Sequence, residues 1–256
     1  VYEDPTIRAE RFPATHDPTT LIQYFAVDVQ IKDPSQLRTA SADPASFTSS
    51  RLVQPETIAK RMNAVFALDG DYCTDDSVEN QKYVMRQGII FRDTVEPKLD
   101  MRLIDEEGDM HIVPGGPELE TMDKTQYNGK QVWNVLQFGP GLVIDGKPVP
   151  DEIIMNPDRS PTYAKPGAGE IRLCIAQIDK LKYMVVTCAH WGQELNRFRD
   201  MVMSLAPVQC AYTLDGGLSA SLVFLNRKFN NVQSGSERPI TDIIYFASAW
   251  DMSGAN

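Results

Sequence analysis

Residues 171–219 read IRLCIAQIDKLKYMVVTCAHWGQELNRFRDMVMSLAPVQCAYTLDGGLS. Two apolar runs, 171–178 and 183–187, flank Asp179-Lys180, which predicts a hairpin of buried strands. Leu195, Phe198, Val202 and Leu205 then recur at helical spacing with Met201 beside them, which predicts a helix over 192–206. A short strand, 211–214, delivers Asp215-Gly216-Gly217. Hairpin, helix and strand in that order, without a regular strand–helix alternation, argue for an α+β domain.

The same reading extends in both directions. Residues 22–32 alternate, with Phe25, Val27, Val29 and Ile31 on one face and Tyr24, Ala26, Asp28 and Gln30 on the other, as in a half-buried strand. Residues 1–20 are polar and carry Pro5, Pro13 and Pro18, which reads as an extended N-terminal arm outside the packed domain, 21–256. Residues 33–50 read as irregular with a short strand at 37–40. Pro55 opens a short helix with Ile58 and Met62 inward. The apolar run 64–68 ends at Asp69-Gly70-Asp71-Tyr72. Short strands are expected at 88–91, 101–105, 110–113, 132–138 and 142–144, and a long surface loop at 148–169. A hairpin over 219–225 turning at Asn226-Arg227 precedes a last strand at 240–247. The expectation is one domain of mixed or antiparallel β-sheet with a few helices.

The chain has 256 residues, a net charge of -10 and 42% hydrophobic residues, which is a globular composition. Its acidity and lack of a basic cluster argue against nucleic acid as a partner. No apolar run reaches the length of a transmembrane segment. Cys73, Cys174, Cys188 and Cys210 fit no zinc spacing, and those in apolar runs read as small buried thiols. His16, His111 and His190 belong to no triad, and there is no cofactor fingerprint, phosphate-binding lysine loop or zinc-protease motif.

Three features can carry chemistry. Leu214-Asp215-Gly216-Gly217-Leu218-Ser219 ends an apolar strand in a carboxylate and two glycines. It reads either as an ordinary Asp-Gly turn or as a carboxylate beside backbone N–H groups suited to an anion. Asp69-Gly70-Asp71 reads either as a solvated turn or as paired carboxylates for acid–base work or a hard cation. Arg172 and Arg238 read either as surface forks or as binders of phosphate or carboxylate.

Taken together these segments resemble the phosphodiester glycosidase family. Residues 67–72, ALDGDY, resemble the family's alanine-isoleucine-asparagine-glycine-glycine-phenylalanine. Residues 139–147, GPGLVIDGK, are similar to its glycine-proline-x-leucine-valine-x-aspartate-glycine-lysine turn. Arg172 opens a strand where the family has an arginine, Gly192 precedes the helix, residues 214–221 resemble its aspartate-glycine-glycine segment, and Glu237-Arg238-Pro239-Ile240 resembles its closing arginine strand. The resemblance spans 22–247. Four positions depart from it: Asp69 replaces the usual asparagine, Leu173 and Cys174 a threonine and an alanine, and Leu218 the third glycine.

The resemblance implies a hydrolase whose substrate is a sugar joined through its anomeric carbon to a phosphodiester, releasing sugar and a phosphomonoester. Asp215 would be the central carboxylate, with Asp69 and Asp71 as an acidic wall. Arg172 and Arg238 would hold the phosphate, aided by Gly216, Gly217 and Ser219. Arg197 and Lys228 are further candidates for the basic patch that an anionic substrate needs. No organic cofactor is implied. The family's members, many of them bacterial, mostly act outside the cytoplasm, so an export signal or anchor is expected to have been removed from the start of this chain. Two other readings remain: a carbohydrate- or cell-envelope-binding protein without turnover, and a metal-dependent phosphodiesterase with a divalent cation on Asp69, Asp71 and Asp215.

Overall fold

The computed structural model describes residues 1–72, 81–156, 171–190, 193–230 and 238–250. In chain order its strands are β1 (Tyr2–Glu3), β2 (Ile7–His16), β3 (Gln23–Ile31), β4 (Leu37–Ser41), β5 (Phe66–Asp69), β6 (Val84–Arg86), β7 (Ile89–Arg92), β8 (Met101–Asp105), β9 (Met110–Val113), β10 (Gln126–Tyr127), β11 (Lys130–Gln137), β12 (Gly141–Ile144), β13 (Lys147–Pro148), β14 (Leu173–Asp179), β15 (Lys182–Cys188), β16 (Cys210–Leu214), β17 (Leu222–Phe224), β18 (Arg227–Lys228) and β19 (Asp242–Phe246). The helices are α1 (Pro55–Arg61), α2 (Glu118–Thr121), α3 (Asp151–Ile154) and α4 (Leu195–Leu205).

The strands form three sheets. The largest runs β1-β2-β3-β15-β14-β16-β12-β13, the second β7-β6-β11-β8-β9 with β10 on β11, and the third β18-β17-β5-β19-β4. Every strand pair among the described residues is antiparallel. The α+β expectation therefore holds, and of its two sheet forms the antiparallel one is found.

Side-chain alternation explains how the layers stack. In β5, Phe66 and Leu68 face the main core while Ala67 faces the α1 side. β19 repeats this with Ile244 and Phe246 against Ile243 and Tyr245, and β17 with Leu222 and Phe224 against Val223. A period of two thus splits the third sheet between two cores. Helix α4 adds Leu195, Phe198, Met201 and Val202 to the main core. Strands β14 and β16 are buried along almost their whole length, which is why they read as continuous apolar runs and not as alternation.

Residues 1–20 differ from expectation. They are not a free arm at their centre: Ile7–His16 pairs with β3, and Ile7 and Ala9 are buried. Pro13 is accommodated because the β2–β3 register shifts between Phe12 and Thr15, and a bulge at a sheet border needs no N–H there. The last hairpin turns at Leu225-Asn226, both with positive φ, one residue earlier than expected. α3 occupies the front of the expected 148–169 loop, and the rest of that loop lies outside the described residues, as do Cys73, Gly192 and Glu237.

Candidate active site

Strand β5 runs through the core and ends at Asp69, which is fully buried. Its neighbour β19 starts at Asp242, with Ile243 paired to Asp69. Two strand ends therefore bring carboxylates together. Gly70 makes this approach possible: a Cβ there would sit 2.6 Å from the Asp242 carboxylate. The Asp242 Oδ1 accepts the Asp71 N–H at 2.8 Å, and its main-chain oxygen accepts the Gly70 N–H at 3.1 Å. Arg86 closes the group. Its Nη2 donates to Asp71 Oδ2 at 2.7 Å and Asp242 Oδ2 at 3.2 Å, and its Nε to Asp242 Oδ2 at 3.3 Å. Its Nη1 donates to the main-chain oxygens of Met85 and Val135.

Asp215 arrives from the largest sheet. The β14–β16 register ends at Leu173 opposite Leu214, so the backbones of Arg172 and Asp215 face each other one step further on. Arg172 is buried, and its Nε donates to the Gln193 main-chain oxygen at 2.8 Å. The chain then turns through Gly217, whose φ of +57° is a conformation glycine adopts without strain. The Gly217 N–H goes to Ile171 O at 2.8 Å, so it braces the start of β14 and is not offered to an anion. The Ser219 hydroxyl is buried without a hydrogen-bond partner among the described residues. Arg238 joins this turn through its N–H to Leu218 O at 3.3 Å.

The electrostatics link the two halves. Burial pushes the Asp69 carboxyl well above the usual carboxylate range, and the charges of Asp215 and Asp242 push it further. The Gly70 N–H and the Lys228 charge oppose this only in part. One oxygen of Asp69 accepts the Gly70 N–H at 2.9 Å and the other has no partner among the described residues, as suits a carboxyl that keeps its proton. Burial raises Asp71 to about 6, against the pull of Arg86.

The expected basic patch divides. Lys228 acts on Asp69, whereas Arg197 is exposed on α4 and donates to Thr20 O at 2.8 Å. His111 bonds to Asp105 at 2.9 Å and His190 to Gln23 at 2.6 Å, so both histidines have structural partners. Cys174, Cys188 and Cys210 are buried, and the Cys188 Sγ accepts the Arg172 N–H at 2.9 Å. Among the described residues no group of three His, Cys, Asp or Glu side chains is placed to hold a metal ion. Asp71, considered for a cation, has Arg86 on one oxygen and the Tyr72 N–H on the other. Sequence reasoning missed Arg86 and Asp242. Asp242 carried the same signal as Asp69 and Asp215, a carboxylate adjoining an apolar run; Arg86 carried none, because β6 is too short to show a period.

No curated protein matches the chain significantly in sequence. The profile of the family described as phosphodiester glycosidase matches residues 62–247. The chain belongs to the phosphodiester glycosidase family. Among solved structures, it is similar to the zebrafish N-acetylglucosamine-1-phosphodiester alpha-N-acetylglucosaminidase catalytic domain, auto-inhibited by its pro-peptide. That likeness has a TM-score of 0.74 at 15% identity and covers 96% of this chain and 84% of that one. A hypothetical protein from Synechocystis follows, with a TM-score of 0.63 at 13% identity, over 94% of this chain and 62% of that one. A Burkholderia pseudomallei protein assigned as exported has a TM-score of 0.56 at 11% identity, over 89% of this chain and 75% of that one.

Within this member of the family, an aspartate at position 69, where the sequence resemblance expects an asparagine, has a physical reading. A buried neutral carboxyl offers a donor and an acceptor, much as an asparagine amide does. Its stability cost has a definite sign. The folded-state pKa lies above the unfolded one, so the unfolded chain loses its proton first as pH rises above about 4. Stability then falls by about 1.4 kcal/mol per pH unit until the folded group also ionises. Asp69→Asn removes this loss. The variant is expected to match wild type near about pH 4 and to exceed it increasingly toward about pH 8 in urea unfolding. An Asp69→Asn protein no more stable than wild type at the upper end would show that Asp69 is not held neutral.

Proposed function

We propose that this phosphodiester glycosidase hydrolyses the bond between the anomeric carbon of a sugar and a phosphodiester, releasing free sugar and a phosphomonoester. The observation that carries this reading is the buried pair of Asp69 and Asp215, delivered by strand ends of two different sheets and electrostatically linked. The sugar carbon gains positive charge as the phosphate departs, and an ionised Asp215 stabilises that charge or activates the attacking water. Phosphate leaves readily, so little proton transfer is needed. Neutral Asp69 then acts as a hydrogen-bond donor to a substrate oxygen, a role an amide fills equally. Arg172 and Arg238 hold the phosphate by forked hydrogen bonds, with the Ser219 hydroxyl as a further donor. Asp71 shapes the acidic wall through Arg86 and Asp242.

The same reading puts the protein outside the cytoplasm, in line with the exported assignment of the Burkholderia neighbour. No helix among the described residues is long and apolar enough to cross a membrane.

The test is release of free sugar from the methyl phosphodiester of N-acetylglucosamine-1-phosphate and related sugar-1-phosphodiesters, with and without a chelator. Release that ignores the chelator is expected. Release abolished by chelator and restored by added metal would transfer the chemistry to a cation. No release from any substrate in the series would leave a sugar-binding protein without turnover.

A further inference from the structure

A cavity with a mostly apolar lining lies away from the carboxylates. It measures about 400 Å³, and its walls include Leu37, Arg38, Met62, Gln87, Trp133 and Asn134. Tyr245 also lines it. Tyr245 and Asp242 are three residues apart on β19, so roughly 10 Å of strand separates this cavity from the carboxylate cluster. The walls come from the edge strand β4, the end of α1, the β6–β7 turn and β11.

Two local irregularities shape it. The β11–β8 register shifts between Val132 and Asn134, so Trp133 is the extra residue of a bulge, a device that re-aims a side chain. Gln87, not a glycine, holds a φ of +52° in the β6–β7 turn and donates its side-chain amide to Thr39 O at 2.8 Å. Its own N–H, at 3.2 Å, and the Thr39 hydroxyl, at 3.1 Å, both donate to Asn134 Oδ1. Those two donors fix the amide of Asn134, a residue only 2% exposed. Its Nδ2 makes no hydrogen bond among the described residues, and Asn134 lines the cavity, so the fixed amide leaves an oriented donor free for a ligand.

We propose that this cavity binds a neutral pyranose, independently of the catalytic reading. The half-buried indole of Trp133 and the apolar sides of Met62 and Leu37 suit the C–H face of a sugar ring. Asn134 Nδ2 and the exposed Arg38 guanidinium present donors, which ask for an acceptor-rich ligand. A hydrocarbon tail would leave the Asn134 donor unpaired. A highly charged ligand would meet one arginine on a protein of net charge -10.

The test follows the indole N–H resonance of Trp133, assigned with Trp133→Phe, during titration with glucose, galactose and N-acetylglucosamine. A saturable shift at millimolar concentration is expected with at least one of them. Asn134→Asp keeps the acceptor for Thr39 and Gln87 but removes the donor, and is expected to weaken binding about tenfold. Arg38→Gln, at an exposed position, is expected to weaken it several-fold. Sugar release at the carboxylate site is expected to be unchanged in both. No shift with any of the three sugars up to about 100 mM would overturn the proposal. So would wild-type affinity in both variants, or a shift produced by inorganic phosphate and not by the sugars.

Discussion

Asp215→Asn is expected to lower sugar release by about 10² to 10⁴-fold while the protein stays folded. The amide keeps the shape of the carboxyl at the end of β16 but cannot carry the negative charge that the oxocarbenium-like sugar requires. Asp215 is 3% exposed, so its charge acts in a water-poor setting where little solvent screens it. Stability supplies the control. Asp215 charge is one of the causes that raise Asp69, so its removal relieves repulsion. The variant is therefore expected to be at least as stable as wild type near about pH 7, with the Asp69 carboxyl shifted back toward ordinary values. An Asp215→Asn protein that releases sugar at more than about a tenth of the wild-type rate would remove Asp215 from the chemistry.

Arg86→Met is expected to be the most destabilising substitution in the carboxylate cluster, at about 3–5 kcal/mol near pH 7. Arg86 is fully buried, as are Asp71 and Asp242 to within 2% of side-chain exposure. The guanidinium gives every described donor group to a carboxylate or a main-chain oxygen and stands over the Phe47 ring at 5.8 Å. Methionine fills similar volume but leaves two carboxylates without a cation. The pH dependence has a definite direction. Asp71 already lies at about 6, raised by burial against the pull of Arg86. Without Arg86 it holds its proton to higher pH still, so the folded state takes up protons that the unfolded state does not. The loss should therefore shrink as pH is lowered toward about 5. Denaturant unfolding at both pH values measures it; a loss below about 1 kcal/mol at each would mean that the pair does not anchor the cluster.

Much of the fold was legible because burial writes itself into apolar runs. β14, β15, β16 and β19 fall where those runs predict, and α4 follows the spacing of Leu195, Phe198 and Val202. β2 was not legible, because its outward residues are polar and its one proline, Pro13, sits where a bulge tolerates it. In the site, Asp69 and Asp215 could each be singled out as a carboxylate closing an apolar strand. Their mutual influence could not, since it arises between two sheets far apart in sequence. Arg86 stayed hidden for a related reason: a single arginine at the end of a three-residue strand has no local pattern, and its meaning comes from Asp71 and Asp242 on other elements. In the Gly216-Gly217 turn, read from sequence as suited to an anion, the Gly217 N–H is spent on Ile171 O, a pairing across elements that local sequence does not show.

The measurement that bears most directly on the proposed chemistry is hydrolysis of a sugar-1-phosphodiester in ¹⁸O-enriched water, with mass analysis of both products. Attack at the anomeric carbon places the label in the released sugar and leaves the phosphomonoester unlabelled, which is the result the Asp215–Asp69 account predicts. Label in the phosphate, with an unlabelled sugar product, would show cleavage of a phosphorus–oxygen bond and would contradict a glycosidase.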